Sequence, residues 1–294
     1  MYKIGIDLGG TKIEGIILDE TLREIYRKRI DTEQEKGYDH IINNIDLLYQ
    51  DLVLFIDNKL HTFGIGTPGS VSKNTGLLKN SNTVCLNDKP FLLDLQKKIG
   101  RKVAIENDAN CFAMAEALMG AGVGKNMVFG VIMGTGCGGG LVYKGEVLGG
   151  LQGIGGEWGH MSINPHGPLC YCGKHGCVET YISGGGLENR FFEAFGERRT
   201  LKQIFQDHEN GNDRTSSFVH TFYANFGVAL SNLINILDPD IVVLGGGVSN
   251  INELYTKGVE QVRRFIFNDT LETPIVKNKC GDSAGVWGAA LIGI

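Results

Sequence analysis

The chain has 294 residues, 28 Lys and Arg against 33 Asp and Glu, and a formal net charge of −5. That length buries a full core in one large domain or two moderate ones. The mild acidity argues against nucleic acid as the main partner, because a phosphate backbone needs a basic face. Charged residues at 21% and hydrophobic residues at 42% fit a globular protein in water. The opening MYKIGIDLGG has no apolar stretch of signal-peptide length, and runs such as DIVVLGG are too short to span a bilayer. No membrane partner is therefore expected, and the location expected is cytoplasmic. Reducing conditions there disfavour disulfides, and seven cysteines are an odd number. Glycine is the anomaly at 43 residues, clustered between apolar segments, which suggests backbone approaching a ligand rather than low complexity.

Taken in chain order, Tyr2–Asp7 and Lys12–Leu18 read as Ile-rich strands joined by a glycine turn, with a third strand over Glu24–Arg29. Apolar residues at helical spacing (Ile41, Ile45, Leu48, Leu52, Phe55) predict a helix over Tyr38–Asn58. Strands follow at His61–Gly66, ending in GTPG, and at Lys102–Glu106. NDANCFAMAEALMG then opens a helix with Asn and Asp caps. MVFGVIMGTGCGGGLVYKGE repeats the opening strand, glycine turn and strand, which points to two related halves. A long helix over Thr221–Leu237 leads to the strand DIVVL, the turn GGGVSN and a helix near Asn252–Phe267. GDSAGVWGAALIGI reads as a glycine-rich helix start. The stretch FGERRTLKQIFQDHENGNDRTSS is expected to be a solvated surface excursion. Strands alternating with helices place the chain in the α/β class.

Two glycine turns are candidate phosphate cradles, since an amide without a neighbouring Cβ lets an anion approach. In DLGGTK, Gly9, Gly10, Thr11 and Lys12 form the turn, and Asp7 is placed to hold a hydrated Mg²⁺. GTGCGGG matches G-x-G-x-x-G, but a strand follows it rather than a helix, so a Rossmann site does not fit. GAGVGKN lacks the hydroxyl that ends a P-loop. With GGG at Gly245–Gly247 after a third strand, the pattern is that of a nucleotide held by two halves.

A third cluster lies in GEWGHMSINPHGPLCYCGKHGCVE, with Cys170, Cys172 and Cys177 near His160, His166 and His175. Spacing alone leaves zinc, free thiols in a loop and a disulfide all open.

Taken together, DxGGTK, ENDANC, GTGxGGG, GEWGH, CxCGxxGCxE and DPDxVVLGGG, in this order from Ile4 to Ala290, resemble the ROK family of repressors, open reading frames and sugar kinases. The chain looks most like the bacterial fructokinases and mannokinases of that family, with N-acetylglucosamine kinases as near relatives. The resemblance implies an actin-like ATPase (sugar kinase/Hsp70 superfamily) fold, with two α/β domains around an ATP cleft. The smaller domain is expected over 1–110 plus 281–294, and the larger over 111–280 with a zinc loop at 160–177. DxGGTK begins too early for the helix-turn-helix of the family's repressors.

By the same resemblance the activity is ATP- and Mg²⁺-dependent phosphorylation of a free hexose at O6, fructose or mannose first, then N-acetylglucosamine or glucose. Asp108 corresponds to the catalytic base, and Asn107, Glu157, His160 and Glu179 to residues contacting the sugar. Asp7, Gly9, Gly10, Thr11, Lys12, Gly134, Thr135, Gly136, Gly245, Gly246 and Gly247 correspond to the ATP site. The family pattern supplies His160 as fourth ligand, with Cys170, Cys172 and Cys177, to a structural zinc that fixes the sugar-pocket wall. A homodimer is implied as well. The non-enzyme alternative is a catalytically idle sugar sensor on the same fold. A zinc hydrolase would need an open coordination position, which three Cys and one His do not leave.

Overall fold

The computed structural model describes residues 1–293; Ile294, the last residue of the expected smaller domain, lies outside them. In chain order the strands and helices are β1 (Tyr2–Leu8), β2 (Lys12–Leu18), β3 (Glu24–Asp31), α1 (Tyr38–Phe55), β4 (His61–Thr67), β5 (Ser70–Val71) and β6 (Leu78–Lys79). Next come α2 (Phe91–Ile99), β7 (Ala104–Asn107), α3 (Asp108–Leu118), β8 (Met127–Met133), β9 (Cys137–Tyr143) and β10 (Glu146–Val147). The rest are α4 (Val178–Ile182), α5 (Gly184–Phe195), α6 (Leu201–Glu209), α7 (Asp213–Leu237), β11 (Ile241–Gly245), α8 (Lys257–Phe265), β12 (Ile275–Lys277) and α9 (Ala284–Leu291).

The chain divides into two compact units. One holds Met1–Gly124, Gly140–Gly155 and the segment from Cys280 onward; the other holds Lys125–Gly139 and Gly156–Lys279. Among the described residues no helix is long and apolar enough to cross a membrane.

In the first unit a five-stranded mixed sheet runs β3-β2-β1-β4-β7. Here β2 is antiparallel to β1, while β4 and β7 continue in parallel, which puts the C-terminal ends of β1, β4 and β7 on one edge. Glycines in the strands make room for helices on opposite faces. A Cβ on Gly5 would sit 2.3 Å from the Ala290 amide nitrogen, and one on Gly64 would sit 2.1 Å from the Ala289 carbonyl, so α9 lies directly on the backbone. On the other face a Cβ at Gly15 would strike Leu52 of α1 at 2.8 Å. Ile41, Ile45, Leu48 and Leu52 of that helix are fully buried, as the periodicity predicts, whereas Phe55, the fifth residue of that pattern, is 50% exposed. Helix α3 meets α9 where Gly288 passes the Cys111 carbonyl.

The second unit is built on β8, β11 and β12, parallel to one another, and holds the first three residues of β9. The long α7 packs on α8, where a Cβ at Gly227 would lie 2.5 Å from that of Gln261. Two sequence expectations are corrected here. Helix α7 starts at Asp213 rather than Thr221, and the expected surface excursion contains α6. Both starts are fixed by capping side chains. Thr200 and Gln203 form a reciprocal capping box at α6, and Asn212 accepts from the Thr215 amide at α7.

Candidate active site

In the first unit the C-terminal edge of the sheet gathers the acidic candidates. Asp7 ends the core of β1, in register with Gly66 on β4 and Glu14 on β2. Its carboxylate is walled by small residues: a Cβ at Gly285 would lie 2.8 Å from Oδ2, and one at Gly66 would lie 3.4 Å from Oδ1. Burial raises its pKa to about 7, helped by the charges of Asp108 and then Glu14. Glu14 is held by Arg27 at 2.8 Å and Arg29 at 2.7 Å, so those guanidinium groups are committed elsewhere.

Asp108 is the first residue of α3 and is exposed; its Oδ1 accepts from the Ala109 amide at 2.8 Å. Asn107 is the N-cap, its Oδ1 accepting from the Asn110 amide at 2.7 Å. Strand β7 therefore delivers Asn107, and the helix start delivers Asp108, at the edge where β1 delivers Asp7. Beside them is a cavity of about 530 Å³, lined by Asn107 together with Thr67, Glu106, Asn110 and the Gly149–Gly150 loop. The GTPG turn holds Thr67 and the ENDANC motif holds Glu106 and Asn110, but none of the three stood among the expected site residues.

The β1–β2 turn is closed by the Gly9 amide donating to the Lys12 carbonyl at 2.9 Å, and Thr32 bonds the Gly9 carbonyl at 2.7 Å. Thr11 and Lys12 are exposed at its tip.

The second unit brings the remaining glycine candidates together. Gly245 pairs with Ile132, and a Cβ at Gly246 would collide with the Met133 backbone at 2.5 Å, so the Gly245–Gly247 turn lies against the strand that leads into Gly134–Gly136. Gly246 is at φ +78, which glycine adopts without strain. Cβ atoms at Gly134 and Gly247 would meet nothing within 4 Å, so internal packing does not explain the missing side chain at either. The amides of Gly184 and Gly185, at the start of α5, hold the carbonyls of Gly134 and Thr135 at 2.7 and 3.2 Å.

Glu179, in the first turn of α4, accepts from the Cys137 amide at 2.8 Å, and a Cβ at Gly136 would lie 2.7 Å from its Oε2. The carboxylate expected to face a sugar thus also braces the second glycine turn. Glu157 is exposed and precedes a turn of 3-10 helix, Trp158–His160. Trp158 packs edge-on to Phe129 and donates to the Gly138 carbonyl at 3.0 Å, as a structural residue should.

His160, Cys170, Cys172 and Cys177 place one donor atom each within 4.8 Å of one another. Zn–S bonds of about 2.3 Å and a Zn–N bond of about 2.0 Å give tetrahedral edges of roughly 3.6–3.8 Å. Cys172 Sγ to Cys177 Sγ is 3.6 Å, and Cys170 Sγ to His160 Nδ1 is 3.6 Å. Three sulfurs and one imidazole at these separations fit Zn²⁺ and leave no position for water. The His160 Nε2 is bonded to the Tyr171 hydroxyl at 3.0 Å, which sets the ring plane. His175 turns away to the Gly167 carbonyl at 2.9 Å, and His166 is outside the cluster.

Comparison with known proteins places this geometry in context. N-acetyl-D-glucosamine kinase of Histophilus somni (strain 129Pt) is 37% identical over 303 residues, covering 98% of this chain and 97% of that one. The crystal structure of ROK hexokinase from Thermus thermophilus is 32% identical with a TM-score of 0.92, covering 100% and 98% of the two chains. A ROK family glucokinase from Streptomyces griseus, solved in complex with glucose and AMPPNP, is 27% identical with a TM-score of 0.77, covering 100% and 99%. The fold is accordingly the α/β fold of the actin-like ATPases. The ROK family model matches residues 3–293, and on that whole-length match the chain belongs to the ROK family.

Proposed function

We propose that the chain is an ATP- and Mg²⁺-dependent kinase of a free hexose, with N-acetylglucosamine the first substrate to consider. It is an enzyme of the sugar phosphotransferase class, like the kinases it matches over nearly all of its length. The sequence expectation put fructose or mannose first. No support for that order comes from the curated relatives, whose printed activity is N-acetyl-D-glucosamine kinase. The observation that carries the reading is an exposed carboxylate at a helix start, Asp108, beside the half-buried Asp7 and a polar cavity in the same unit.

Asp108 takes the proton of the sugar 6-hydroxyl as that oxygen bonds to the γ-phosphorus. The bond from that phosphorus to the β–γ bridging oxygen breaks, and ADP leaves with the electron pair. Asn107 holds the sugar beside the base, Glu157 and Glu179 accept from its remaining hydroxyls, and His160 reaches one through Nε2 when the Tyr171 hydroxyl bonded there gives way to it. The Gly9–Lys12 and Gly134–Gly136 turns donate to phosphate oxygens through the amides not spent on closing them, as Gly9 is on Lys12 and Gly134 on Gly136, and Gly245–Gly247 border the adenosine. Asp7 fits a hydrated Mg²⁺: its carboxyl has two acidic neighbours, Asp108 and Glu14, and a dication there relieves their repulsion. His160, Cys170, Cys172 and Cys177 would hold zinc, which supplies rigidity to the sugar wall rather than reactivity. A homodimer completes the proposal and is read by sedimentation equilibrium.

The test is ADP release from Mg·ATP with N-acetylglucosamine, glucose, mannose and fructose, run beside Asp108→Asn. Turnover with one sugar that falls about a thousandfold in the variant, at unchanged folding, is the expected result. Equal turnover in the variant refutes Asp108 as base. Sugar binding without any ADP release leaves the idle sensor as the function.

A further inference from the structure

The groove between α5 and α7 in the second unit shares no residue with the site described above. It holds a cavity of about 390 Å³, lined by Arg190 and Phe195 from α5 and by Arg214, Ser217, Phe218 and Thr221 from one face of α7. Arg190 is the unusual member. It is half-buried, and its guanidinium carbon lies 4.4 Å from the centre of the Tyr181 ring. Among the described residues no carboxylate pairs with it and no group hydrogen-bonds to it. Burial lowers its pKa, against the opposing charges of Tyr181 and then Glu193. A cation withdrawn from water without an anion is costly, and arginine is rarely buried unless paired.

The other groups differ. Arg214 is already committed: it stacks on Phe195 at 4.1 Å, donates to the Phe195 carbonyl at 3.1 Å and lies 3.6 Å from Glu197. The Thr221 hydroxyl donates to the Ser217 carbonyl at 3.0 Å, which leaves its lone pairs for an incoming hydroxyl. Ser217 is exposed at the cavity and offers an O–H. Phe195 and Phe218, with ring centres 6.1 Å apart, form the apolar wall. The set suits a ligand with an anion at one end and a ring at the other. A carboxylate is used up by one guanidinium fork, whereas a phosphate monoester keeps a third oxygen for Ser217.

We propose that this groove binds a small phosphomonoester carried on a ring, a sugar phosphate or a nucleoside monophosphate, with its phosphate on Arg190 and Ser217 and its ring against Phe195 and Phe218. The groove also backs onto the second glycine turn. Tyr181, which Arg190 covers, is in α4 with Glu179, whose carboxylate holds the Cys137 amide. Helix α5 begins with Gly184 and Gly185 on the carbonyls of Gly134 and Thr135, about 9 Å along the axis from Arg190. On the kinase reading above, a ligand that fixes Arg190 therefore acts on the ATP turn, and the groove is a regulatory site.

The experiment titrates the full chain, free of ATP, with glucose 6-phosphate, AMP, inorganic phosphate and glucose in a calorimeter. Arg190→Met and Ser217→Ala separate the groove from the active site, whose residues they leave untouched. The expected result is that one of the two esters binds more tightly than inorganic phosphate or glucose. Its affinity falls about tenfold or more in Arg190→Met and a few-fold in Ser217→Ala. Where Arg190→Met fails to fold, Arg190→Lys, which keeps the charge but not the fork, takes its place. No binding of either ester overturns the proposal, as does affinity within about twofold of wild type in the variants. Inorganic phosphate that binds as tightly as the esters overturns the place given to the ring. The regulatory part is read as a change of about threefold in KM for ATP when the ester is present, lost in Arg190→Met. An unchanged KM overturns that part. If the chain phosphorylates no sugar, the kinase reading fails on its own and calorimetry alone decides the groove.

Discussion

Removing the metal proposed for the His160–Cys177 cluster should loosen one loop and leave the rest of the second unit folded. The ligands sit at the two ends of the loop and near its middle, with Cys170 and Cys177 buried and Cys172 exposed. Without the metal the loop keeps a few backbone bonds: Ile163 to the Gly176 carbonyl at 2.9 Å, Cys170 to Lys174 at 2.8 Å and Val178 to Met161 at 2.9 Å. Each is worth about 1 kcal/mol net. A clip across a loop of roughly 18 residues contributes about 3 kcal/mol through closure entropy alone, before any bond strength is counted. Loss of the clip therefore raises the opening equilibrium about a hundredfold.

Hydrogen exchange reads this directly. The amides of Ile163, Cys170 and Val178 should exchange about a hundredfold faster after chelation or in Cys177→Ser, while those of β8 and β11 stay protected. His160 then loses its Nδ1 anchor, and KM for the sugar should rise with a smaller change in KM for ATP. Protein that carries no zinc as purified, or exchange that chelation does not change, refutes the reasoning.

Asp7→Asn should stabilise the fold while abolishing activity. A carboxyl raised from 3.8 to about 7 in the folded chain binds its proton more tightly there than in the unfolded chain. Wild-type stability thus grows as pH falls from about 7 towards about 4, and the variant removes a cost of up to about 4 kcal/mol above pH 7, checked by denaturant titration at pH 5 and pH 8. Gly134→Ala and Gly247→Ala, whose Cβ atoms enter open space, should keep the wild-type Tm and raise KM for ATP. Gly5→Ala pushes a methyl to 2.3 Å from the α9 backbone and should lower Tm by several degrees in a thermal melt, the cost of overpacking being about 1–3 kcal/mol or more.

The alternating apolar strands and the two strand–glycine–strand repeats were legible because burial on a sheet imposes its period on the sequence. The helices of residues 201–220 were not, since their charged faces hide the apolar stripe; the usable signal was Thr200 with Gln203, a capping box that composition masks. The expected domain boundary after residue 110 falls inside α3, an unbroken helix whose Cys111 carbonyl faces Gly288. The whole helix goes with the first unit for that reason. In the candidate site, Asn107 and Asp108 stood out because both belong to one short motif. Thr67 lay in the GTPG turn and Asn110 in the same ENDANC motif, but nothing in the sequence says that β4 and β7 pair so as to set Thr67 opposite Asn107. Glu179 was legible as a polar site residue but not as the brace of Gly136 and Cys137, a contact that joins positions far apart in the chain.

Besides the glycines in left-handed turns, the glycine excess holds two populations that composition cannot separate. Gly5, Gly64, Gly140 and Gly288 are glycines because another backbone passes where a Cβ would sit, at 1.8–2.5 Å. Their loss would misplace α9 or α3, whatever the ligand. Gly134 and Gly247 have no such neighbour and no left-handed backbone, so neither packing nor conformation demands glycine there. A position kept free of a side chain for no internal reason is one that something outside the fold approaches. In a chain of this family the approaching group is the nucleotide, and the prediction that alanine at these two positions leaves the Tm intact while weakening ATP separates that explanation from any structural one.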